Sequence, residues 1–189
     1  IDRYYIENFL RNNSDIIRGH VLEIGDDNYT IKYGGDSVSK SDVLNKTDGN
    51  PHSTIVADLE IGKGLESNIF DIIIFTQTLQ FIYGKVDAIK TLRRILKPGG
   101  ILLATFPGIS QISAYDDGIW GDYWRFTEKA IQRLFSDVFG EDNIEVESFG
   151  NVQVSSSFLY GLAVEDLNKS SLDSKDPNYP FLITLKACK

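Results

Sequence analysis

A chain of 189 residues, 42% of them hydrophobic, is long enough to bury the core of one domain and short for two. The net charge of −8, without any run of Lys or Arg, argues against a nucleic-acid partner. A single cysteine excludes an internal disulfide, and no apolar stretch approaches the ~20 residues that span a bilayer, so we expect a cytoplasmic protein with no membrane span.

Apolar runs alternate with amphipathic segments along the chain. Helical spacing predicts an N-terminal helix over residues 5–17; because the chain begins inside it and has no Met, we expect a part of a longer protein. Strands are predicted at residues 21–24, 37–43, 54–57, 69–75, 101–105, 144–149 and 181–187. Further helices are predicted at 86–96, 127–138 and 157–168. This alternation predicts an α/β fold with a doubly wound, mostly parallel seven-stranded sheet, in a single domain of residues 1–189.

Four segments resemble class I S-adenosylmethionine-dependent methyltransferases in order and spacing: VLEIG at 21–25, VADLE at 56–60, FDIIIFTQTLQFI at 70–82 and LRRILKPGGILLATFPG at 92–108. Residues 120–135, WGDYWRFTEKAIQRLF, are similar to the subset associated with cell-surface polysaccharide and glycosyltransferase pathways. The resemblance implies a Rossmann-like fold with an antiparallel C-terminal strand and S-adenosylmethionine as the cofactor. It also implies a role in polysaccharide biosynthesis, with a linked glycosyltransferase as a partner.

The loop after the first strand carries carboxylates where dinucleotide sites place more glycines. A pyrophosphate-binding turn presents backbone N–H groups to a dianion, so Asp26 and Asp27 disfavour NAD. S-adenosylmethionine has no phosphate and carries a sulfonium and an ammonium, which suit acidic walls. An ordinary solvated turn is the alternative interpretation of the two aspartates. Since only residues 26–36 separate the first two strands, we expect a single helical turn near 28–32.

The resemblance assigns cofactor roles at the carboxyl ends of the strands, where open α/β sheets bind ligands. Glu23 matches the acidic residue that organises the methionine end, or is a capped polar residue at a strand end. Asp42 matches the residue that accepts hydrogen bonds from the ribose hydroxyls, or lies in a turn, and Asp58 matches the residue that meets the adenine amino group. Thr76 and Gln77 offer backbone carbonyls to the methionine ammonium. The predicted cofactor-binding residues are Glu23, Gly25, Asp26, Asp42, Asp58, Leu59, Thr76 and Gln77.

Residues 108–126 are too long and too aromatic for an ordinary connection, which predicts a lid that folds over the cleft beside the reacting methyl group. Aromatic faces stack on sugar rings, and a guanidinium pairs with an acidic acceptor. The predicted substrate-binding residues are Trp120, Tyr123, Trp124 and Arg125. The predicted general base is Asp122, followed by Asp117 and Tyr115. The alternative is that the aromatic residues pack the connection onto the body, with Arg125 in a structural ion pair.

These observations favour transfer of a methyl group to an oxygen of a saccharide or another small polar acceptor. A non-catalytic module that retains the fold and binds or scaffolds a glycan-biosynthesis partner is the alternative, favoured by the degenerate glycine loop. A nicotinamide-dependent oxidoreductase is disfavoured by the acidic loop. No metal is predicted, because His20 and His52 are not spaced as ligands with a Cys or Asp cluster, although scattered carboxylates leave magnesium open.

Overall fold

The computed structural model describes all residues, 1–189. Its strands are β1 Gly19–Ile24, β2 Val38–Asn45, β3 Ile55–Val56, β4 Phe70–Thr76, β5 Leu96–Pro107, β6 Ile144–Phe149 and β7 Leu182–Cys188. Its helices are α1 Asp2–Asn12, α2 Asn28–Gly34, α3 Lys85–Ile95, α4 Ala114–Ile119, α5 Glu128–Phe139, α6 Val152–Leu159 and α7 Lys169–Asp173. A 3₁₀ turn, Leu79–Phe81, follows β4.

The strands form one sheet in the order β3-β2-β1-β4-β5-β7-β6. Strands β1 to β5 are parallel to one another, with Leu22 beside Ile73 and Ile73 beside Leu102 in the centre. Strand β7 runs antiparallel to both β5 and β6. The predicted fold class, including the antiparallel C-terminal strand, is confirmed.

Helices cover both faces of the sheet, and alternate residues of each central strand serve the two cores. On β4, Ile73 packs with α3 and α5 in one cluster, and Ile72 packs with α1, α6 and α7 in the other. All of these strand residues are almost completely buried. The period of two within a continuous apolar strand therefore fills a layer on each side, as expected for a parallel sheet.

Three predicted helices differ from the structure. The N-terminal helix is Asp2–Asn12 instead of 5–17, and a 3₁₀ turn at Ser14–Ile16 follows it. The C-terminal helix begins at Val152 and ends at Leu159, instead of spanning 157–168. It begins early because the Asn151 side chain accepts a hydrogen bond from the Val154 N–H, and it ends before Gly161, whose φ is +76°. After the first strand, α2 has seven residues instead of one turn.

Residues 108–126, which we call the lid, contain α4 and are fixed to the body at both ends. The Ser113 side chain caps α4. The Tyr123 N–H donates to the Gln80 carbonyl at 2.9 Å, and the Phe126 N–H donates to the Pro107 carbonyl at 3.0 Å. The lid is thus held at the carboxyl ends of β4 and β5. No helix of the molecule is both long and apolar enough to cross a membrane.

Candidate functional site

The loop after β1 is a turn built around Gly25, which has a φ of +90°. This conformation favours glycine, and a Cβ added there would meet no atom within 4 Å, so one side of the turn is open. The Gly25 N–H donates to the Leu44 carbonyl at 3.1 Å, and its own carbonyl accepts from Asn50 Nδ2 at 2.6 Å. The turn is fixed by its neighbours and leaves room for a ligand to approach the backbone.

Glu23 stabilises this turn through hydrogen bonds to the residues that follow it. Its carboxylate is 2% exposed and accepts hydrogen bonds from the Tyr29 N–H and from both the N–H and the hydroxyl of Thr30, at 2.7 to 3.2 Å. It thereby caps the first turn of α2, whose early N–H groups have no partner within the helix. Burial is the largest influence on this carboxyl and raises its pKa to about 7. Glu23 orders the loop and does not line the cavity beside it.

A cavity of about 270 Å³, which we call the strand-edge cavity, lies at the carboxyl ends of the parallel strands. Five of the predicted cofactor residues and one predicted substrate residue line it: Gly25, Asp58, Leu59, Thr76, Gln77 and Trp120. Asp26 does not; it is exposed, and its side chain accepts from the Asn28 N–H at 3.1 Å. The topology therefore brings most of the predicted set to one place.

Asp42 lies within β2, three residues before the strand ends at Asn45. Its carboxylate is 2.6 Å from His20 Nε2 and 2.8 Å from Lys40 Nζ, and it accepts from the Thr54 hydroxyl at 2.8 Å. Burial works to raise the pKa of this carboxyl, but the three contacts outweigh burial and lower it. Asp42 does not line the strand-edge cavity, whereas Asn45 does. Strand β2 contributes Leu44 and Asn45 to this cavity, so the polar residue of β2 there is Asn45.

Asp58 follows β3 and reaches the strand-edge cavity. One carboxylate oxygen accepts from the Glu60 N–H at 2.8 Å, and the other is 3.1 Å from Lys46 Nζ. Leu59 beside it is 4% exposed and belongs to the main core. This wall of the cavity therefore combines a charged rim with an apolar floor.

Gln77, directly after β4, holds an unusual backbone conformation, with a φ of +46°. For a non-glycine residue this costs about 1 to 2 kcal/mol. The residue is held there because its N–H donates to the Thr105 carbonyl and its Nε2 donates to the Thr105 hydroxyl. The Gln77 carbonyl accepts from Gln80 Nε2, and the Thr76 carbonyl accepts from the Thr78 hydroxyl. Each carbonyl predicted to meet an ammonium thus keeps one lone pair free.

A second cavity of about 240 Å³, the lid cavity, adjoins the first. Both cavities are lined by Gln77, Phe81 and Asp116. The remaining wall of the lid cavity comes from the lid, from Asp2 and Gln80, and from Phe158, Phe181 and Leu182 on its apolar side. The two cavities therefore adjoin at three residues, one of which is a carboxylate.

Asp122, the predicted base, forms a buried ion pair. Its side chain is 1% exposed, and its two oxygens lie 2.6 and 2.9 Å from the Arg125 guanidinium nitrogens. It also accepts from the Ser113 N–H at 3.0 Å. The Arg125 guanidinium lowers the pKa of this carboxyl. Both residues line the lid cavity, but their charged groups bind each other. This is the structural ion pair that was the alternative interpretation of Arg125.

The other predicted bases lie outside both cavities. Tyr115 is 77% exposed, and Asp117 is exposed and accepts from the Asp122 N–H at 3.0 Å. The aspartate that borders both cavities is Asp116, which was not predicted as a site residue. Its Oδ2 accepts from the Ser113 hydroxyl at 2.6 Å. The sequence signal for this position is the serine three residues earlier, which caps α4 and fixes the orientation of its first turn.

Trp124 and Tyr123 pack the lid against the body and line neither cavity. The Trp124 Nε1 donates to the Ile82 carbonyl at 3.0 Å, and Lys85 Nζ lies 3.3 Å from the centroid of this ring. Tyr123 contacts Tyr83 edge to face, with ring centroids 5.3 Å apart. Of the four predicted substrate residues, only Trp120 and Arg125 therefore reach a cavity.

Gln80, a further residue that sequence reasoning missed, lines the lid cavity from the 3₁₀ turn after β4. It is 5% exposed, and its Oε1 is buried without a hydrogen-bond partner. An unpaired buried acceptor costs about 1 to 3 kcal/mol. Neither the neighbouring residues in the sequence nor the position of Gln80 in an apolar run predicts the unpaired oxygen, because it depends on the orientation of the side-chain amide.

The strand-edge and lid cavities are not the largest in the molecule. A cavity of about 610 Å³ lies between α1 and the β6–β7 edge and contains none of the predicted site residues. Its charged side chains largely pair with one another: Lys175 is 3.1 Å from Glu147, and Lys186 is 3.5 Å from Glu145. No group of three or more His, Cys, Asp or Glu is arranged to hold a metal ion.

Residues 20–104 match a family model described as a methyltransferase domain. The fold is similar to an S-adenosylmethionine-dependent methyltransferase from Archaeoglobus fulgidus, with a TM-score of 0.63, 13% identity, and coverage of 99% of this chain and 94% of that one. It is also similar to the N-methyltransferase NodS from Bradyrhizobium japonicum, solved with S-adenosylhomocysteine (0.61, 14%, 99% and 86%). A third similar structure is phosphoethanolamine N-methyltransferase 2 from Haemonchus contortus, solved with S-adenosylmethionine (0.61, 15%, 98% and 52%). A comparison with curated protein sequences gave no match.

Proposed function

We propose that this chain is an S-adenosylmethionine-dependent methyltransferase that methylates a hydroxyl oxygen of a saccharide or similar small polar acceptor. The proposal is supported by the match of residues 20–104 to a methyltransferase-domain model and by the similarity of the fold to solved methyltransferases. The observation that supports this most directly is the junction of the two cavities at Gln77, Phe81 and Asp116. A methyl transfer needs donor and acceptor held in line, and adjoining cavities can hold the two molecules side by side.

The strand-edge cavity fits the methyl donor. The open side of the Gly25 turn accommodates a close backbone approach, and Leu59 with Ile82 provides an apolar floor for a ring. Asp58, Asp116 and Lys46 line this space, and Lys46 Nζ pairs with Asp58 at 3.1 Å. The carboxylate of Asp116 has no cationic partner, so it disfavours the pyrophosphate of a dinucleotide, whereas S-adenosylmethionine brings a sulfonium with an already activated methyl group.

Asp116 replaces Asp122 as the general base in this proposal. Its Oδ2 is held by the Ser113 hydroxyl, and its Oδ1 accepts no hydrogen bond from the protein. A carboxylate fixed through one oxygen and free at the other can take the proton of an acceptor hydroxyl within hydrogen-bond reach. Because Asp116 borders both cavities, that proton leaves at the point where the methyl group arrives.

The saccharide acceptor is inferred from the resemblance of residues 120–135 to enzymes of polysaccharide pathways. The Trp120 ring in the strand-edge cavity and the hydroxyl, amide and carboxylate groups of the lid cavity are compatible with a sugar. A linked glycosyltransferase belongs to the same proposal, since a saccharide substrate must be supplied by such a reaction.

Calorimetric titration with S-adenosylmethionine, S-adenosylhomocysteine and NAD tests the donor side. We expect the first two to bind and NAD not to bind. Release of S-adenosylhomocysteine in the presence of a panel of sugars and nucleotide sugars tests the acceptor side. Binding of NAD alone, or no binding of S-adenosylmethionine at millimolar concentration, would contradict the proposal, and turnover only with non-sugar acceptors would contradict its saccharide part.

A further inference from the structure

Three aromatic rings form a cluster on the surface beside the lid, which we call the aromatic platform: Tyr83, Tyr123 and Trp124. The Tyr83 ring stacks on the Trp124 ring, with centroids 5.8 Å apart and planes at 29°. It meets the Tyr123 ring edge to face, at 5.3 Å and 70°. Tyr83 is 67% exposed and Tyr123 is 49% exposed. Single exposed apolar residues need no explanation, but a contiguous exposed cluster marks a candidate interaction site.

The rings of the platform are held in place by the protein itself. The Trp124 Nε1 donates to the Ile82 carbonyl at 3.0 Å, and Lys85 Nζ lies 3.3 Å from the centroid of the same ring. The Tyr123 ring lies so close to Gly121 that a Cβ added there would collide with it. Because the rings are ordered before a ligand arrives, binding to them costs little conformational entropy.

The platform begins where the two cavities adjoin. Phe81 borders both cavities, Ile82 lines the strand-edge cavity, and Tyr83 is the next residue along the chain. On the lid, Trp120 lines the strand-edge cavity three residues before Tyr123. An acceptor that is longer than the cavities therefore reaches the platform directly after leaving them.

The chemistry and the size of the platform fit a sugar better than a protein. Both exposed rings carry a hydroxyl, and the Lys85 ammonium lies beside them, so hydrogen-bonding groups border the aromatic faces. Sugars likewise combine apolar C–H faces with polar edges. The two exposed rings present roughly 200 to 300 Å², well below the roughly 800 Å² that each partner buries in a stable protein complex.

We propose that Tyr83 and Tyr123 bind a sugar unit of the acceptor that lies beyond the unit to be methylated, so that the substrate is an oligosaccharide or a longer glycan and not a single sugar. This assignment rests on the proposed function, because it takes a saccharide as the acceptor. The two tyrosines take no part in methyl transfer. They add affinity and fix the direction in which the glycan leaves the cavities.

Sugars of two lengths test the assignment. Glucose, galactose, mannose and N-acetylglucosamine are compared with the linear tetrasaccharide of each, with and without S-adenosylhomocysteine. Binding is followed by NMR through the indole N–H of Trp124, one of only two tryptophans, whose signal is assigned with Trp120→Phe. The proteins are wild type, Tyr83→Ala, Tyr83→Phe and Tyr123→Ala. Tyr160→Ala, at an exposed tyrosine outside the platform, is the matched control.

We expect the tetrasaccharide of at least one sugar to bind roughly threefold to tenfold more tightly than its monosaccharide and to shift the Trp124 indole signal. Tyr83→Ala and Tyr123→Ala are expected to remove this gain and to leave the affinity for the monosaccharide unchanged. Tyr83→Phe keeps the ring and is expected to keep most of the gain, and Tyr160→Ala is expected to keep all of it. The gain and the indole shift in wild type support the assignment even where an alanine variant fails to fold.

Equal affinity for both lengths of every sugar in wild type overturns the assignment, and a platform that binds a protein instead gives this result. A gain that persists in a folded Tyr83→Ala variant also overturns it, as does a Trp124 signal that does not respond, because the added sugar units then lie elsewhere. Failure of the proposed function looks different. In that case S-adenosylhomocysteine does not bind to wild type in calorimetry, whatever the sugars do.

Discussion

The carboxylate of Asp122 and the guanidinium of Arg125 form a two-bond ion pair inside the lid, at 2.6 and 2.9 Å. The carboxylate of this pair is almost inaccessible to solvent, since the Asp122 side chain is 1% exposed. Arg125 also reaches the carbonyls of Ser110 and Gln111 at the beginning of the lid. This pair therefore ties the two ends of the lid together.

Removing the charge of Asp122 is expected to loosen the lid without abolishing catalysis. Asp122→Asn loses a charge-assisted pair, so we expect the free energy of unfolding to fall by about 1.5 to 3 kcal/mol. Urea denaturation measures this. The matched control is Asp137→Asn, which disrupts the exposed pair with Arg133 and is expected to cost less than about 1 kcal/mol. A stable Asp122→Asn enzyme with a large loss of turnover would restore Asp122 as the base.

For Asp116 we expect the opposite result, a loss of turnover without a loss of stability. Asp116→Asn retains the shape and the bond to the Ser113 hydroxyl but cannot take a proton, so kcat is expected to fall roughly a hundredfold or more. S-adenosylmethionine affinity and unfolding free energy are expected to stay close to wild type. The measurement is single-turnover methyl transfer with an acceptor found by the sugar panel. Unchanged kcat would remove Asp116 from the reaction.

Substitutions of Asp58 and Asp42 distinguish a role in cofactor binding from a role in stability. Asp58 lines the strand-edge cavity, so Asp58→Ala is expected to weaken S-adenosylmethionine by roughly tenfold or more. Asp42 instead holds His20, Lys40 and Thr54, so Asp42→Ala is expected to lower stability and leave affinity within about twofold. Calorimetry and urea denaturation on both variants check the pair. Weaker cofactor binding in a stable Asp42→Ala protein would instead support Asp42 as a cofactor-binding residue.

The architecture was predictable because each strand is a short apolar run and each main helix has one apolar stripe. Ile72, Ile73 and Ile74 give the central strand, and both of its faces are buried. The end of β2 was not predictable. Its apolar residues, Val43 and Leu44, come after a polar half, so the pattern places the end of the strand too early and puts Asp42 at the sheet edge.

The orientations of the lid side chains could not be predicted from the sequence for a different reason. The lid contains three aspartates in seven positions, and composition does not tell which one faces a cavity. The short helix α4 turns Asp116 inward and Asp117 outward, and the pair between Asp122 and Arg125 forms outside any helix. Such choices depend on the packing of one segment against the whole sheet, which a linear pattern does not encode.

The electrostatic interpretation of the loop after β1 remains a prediction. Neither Asp26 nor Asp27 lines the strand-edge cavity, and neither forms a salt bridge, so any effect on the ligand acts through space. Replacing both by Asn is expected to weaken S-adenosylmethionine more than the neutral thioether S-adenosylhomocysteine, by a margin that shrinks as salt is added. Calorimetry at two salt concentrations measures both ligands. Equal effects would show that the carboxylates do not sense the sulfonium.

Glu23 makes stability depend on pH in a window set by its raised pKa. The carboxyl has a pKa of about 7 in the folded protein, against an ordinary value of 4.5, because it is buried. Between these values the folded chain keeps a proton that the unfolded chain has lost, so stability falls as pH rises through the window. The full contribution is present below pH 4.5 and is lost above pH 7. One pKa unit corresponds to about 1.4 kcal/mol, so the expected loss is about 3 kcal/mol.

Glu23→Gln removes this titration while keeping a side chain of the same size under the loop. Urea denaturation at pH 5 and pH 8 is therefore expected to show a smaller decline for Glu23→Gln than for wild type, by roughly the same 3 kcal/mol. The exposed Glu141→Gln serves as the control and is expected to follow wild type. If wild type and Glu23→Gln decline in parallel, the three hydrogen bonds from α2 outweigh burial, and Glu23 is ionised throughout. The cap on α2 would then rest on a permanent negative charge beneath the Gly25 turn, available at every pH to the sulfonium side of the strand-edge cavity.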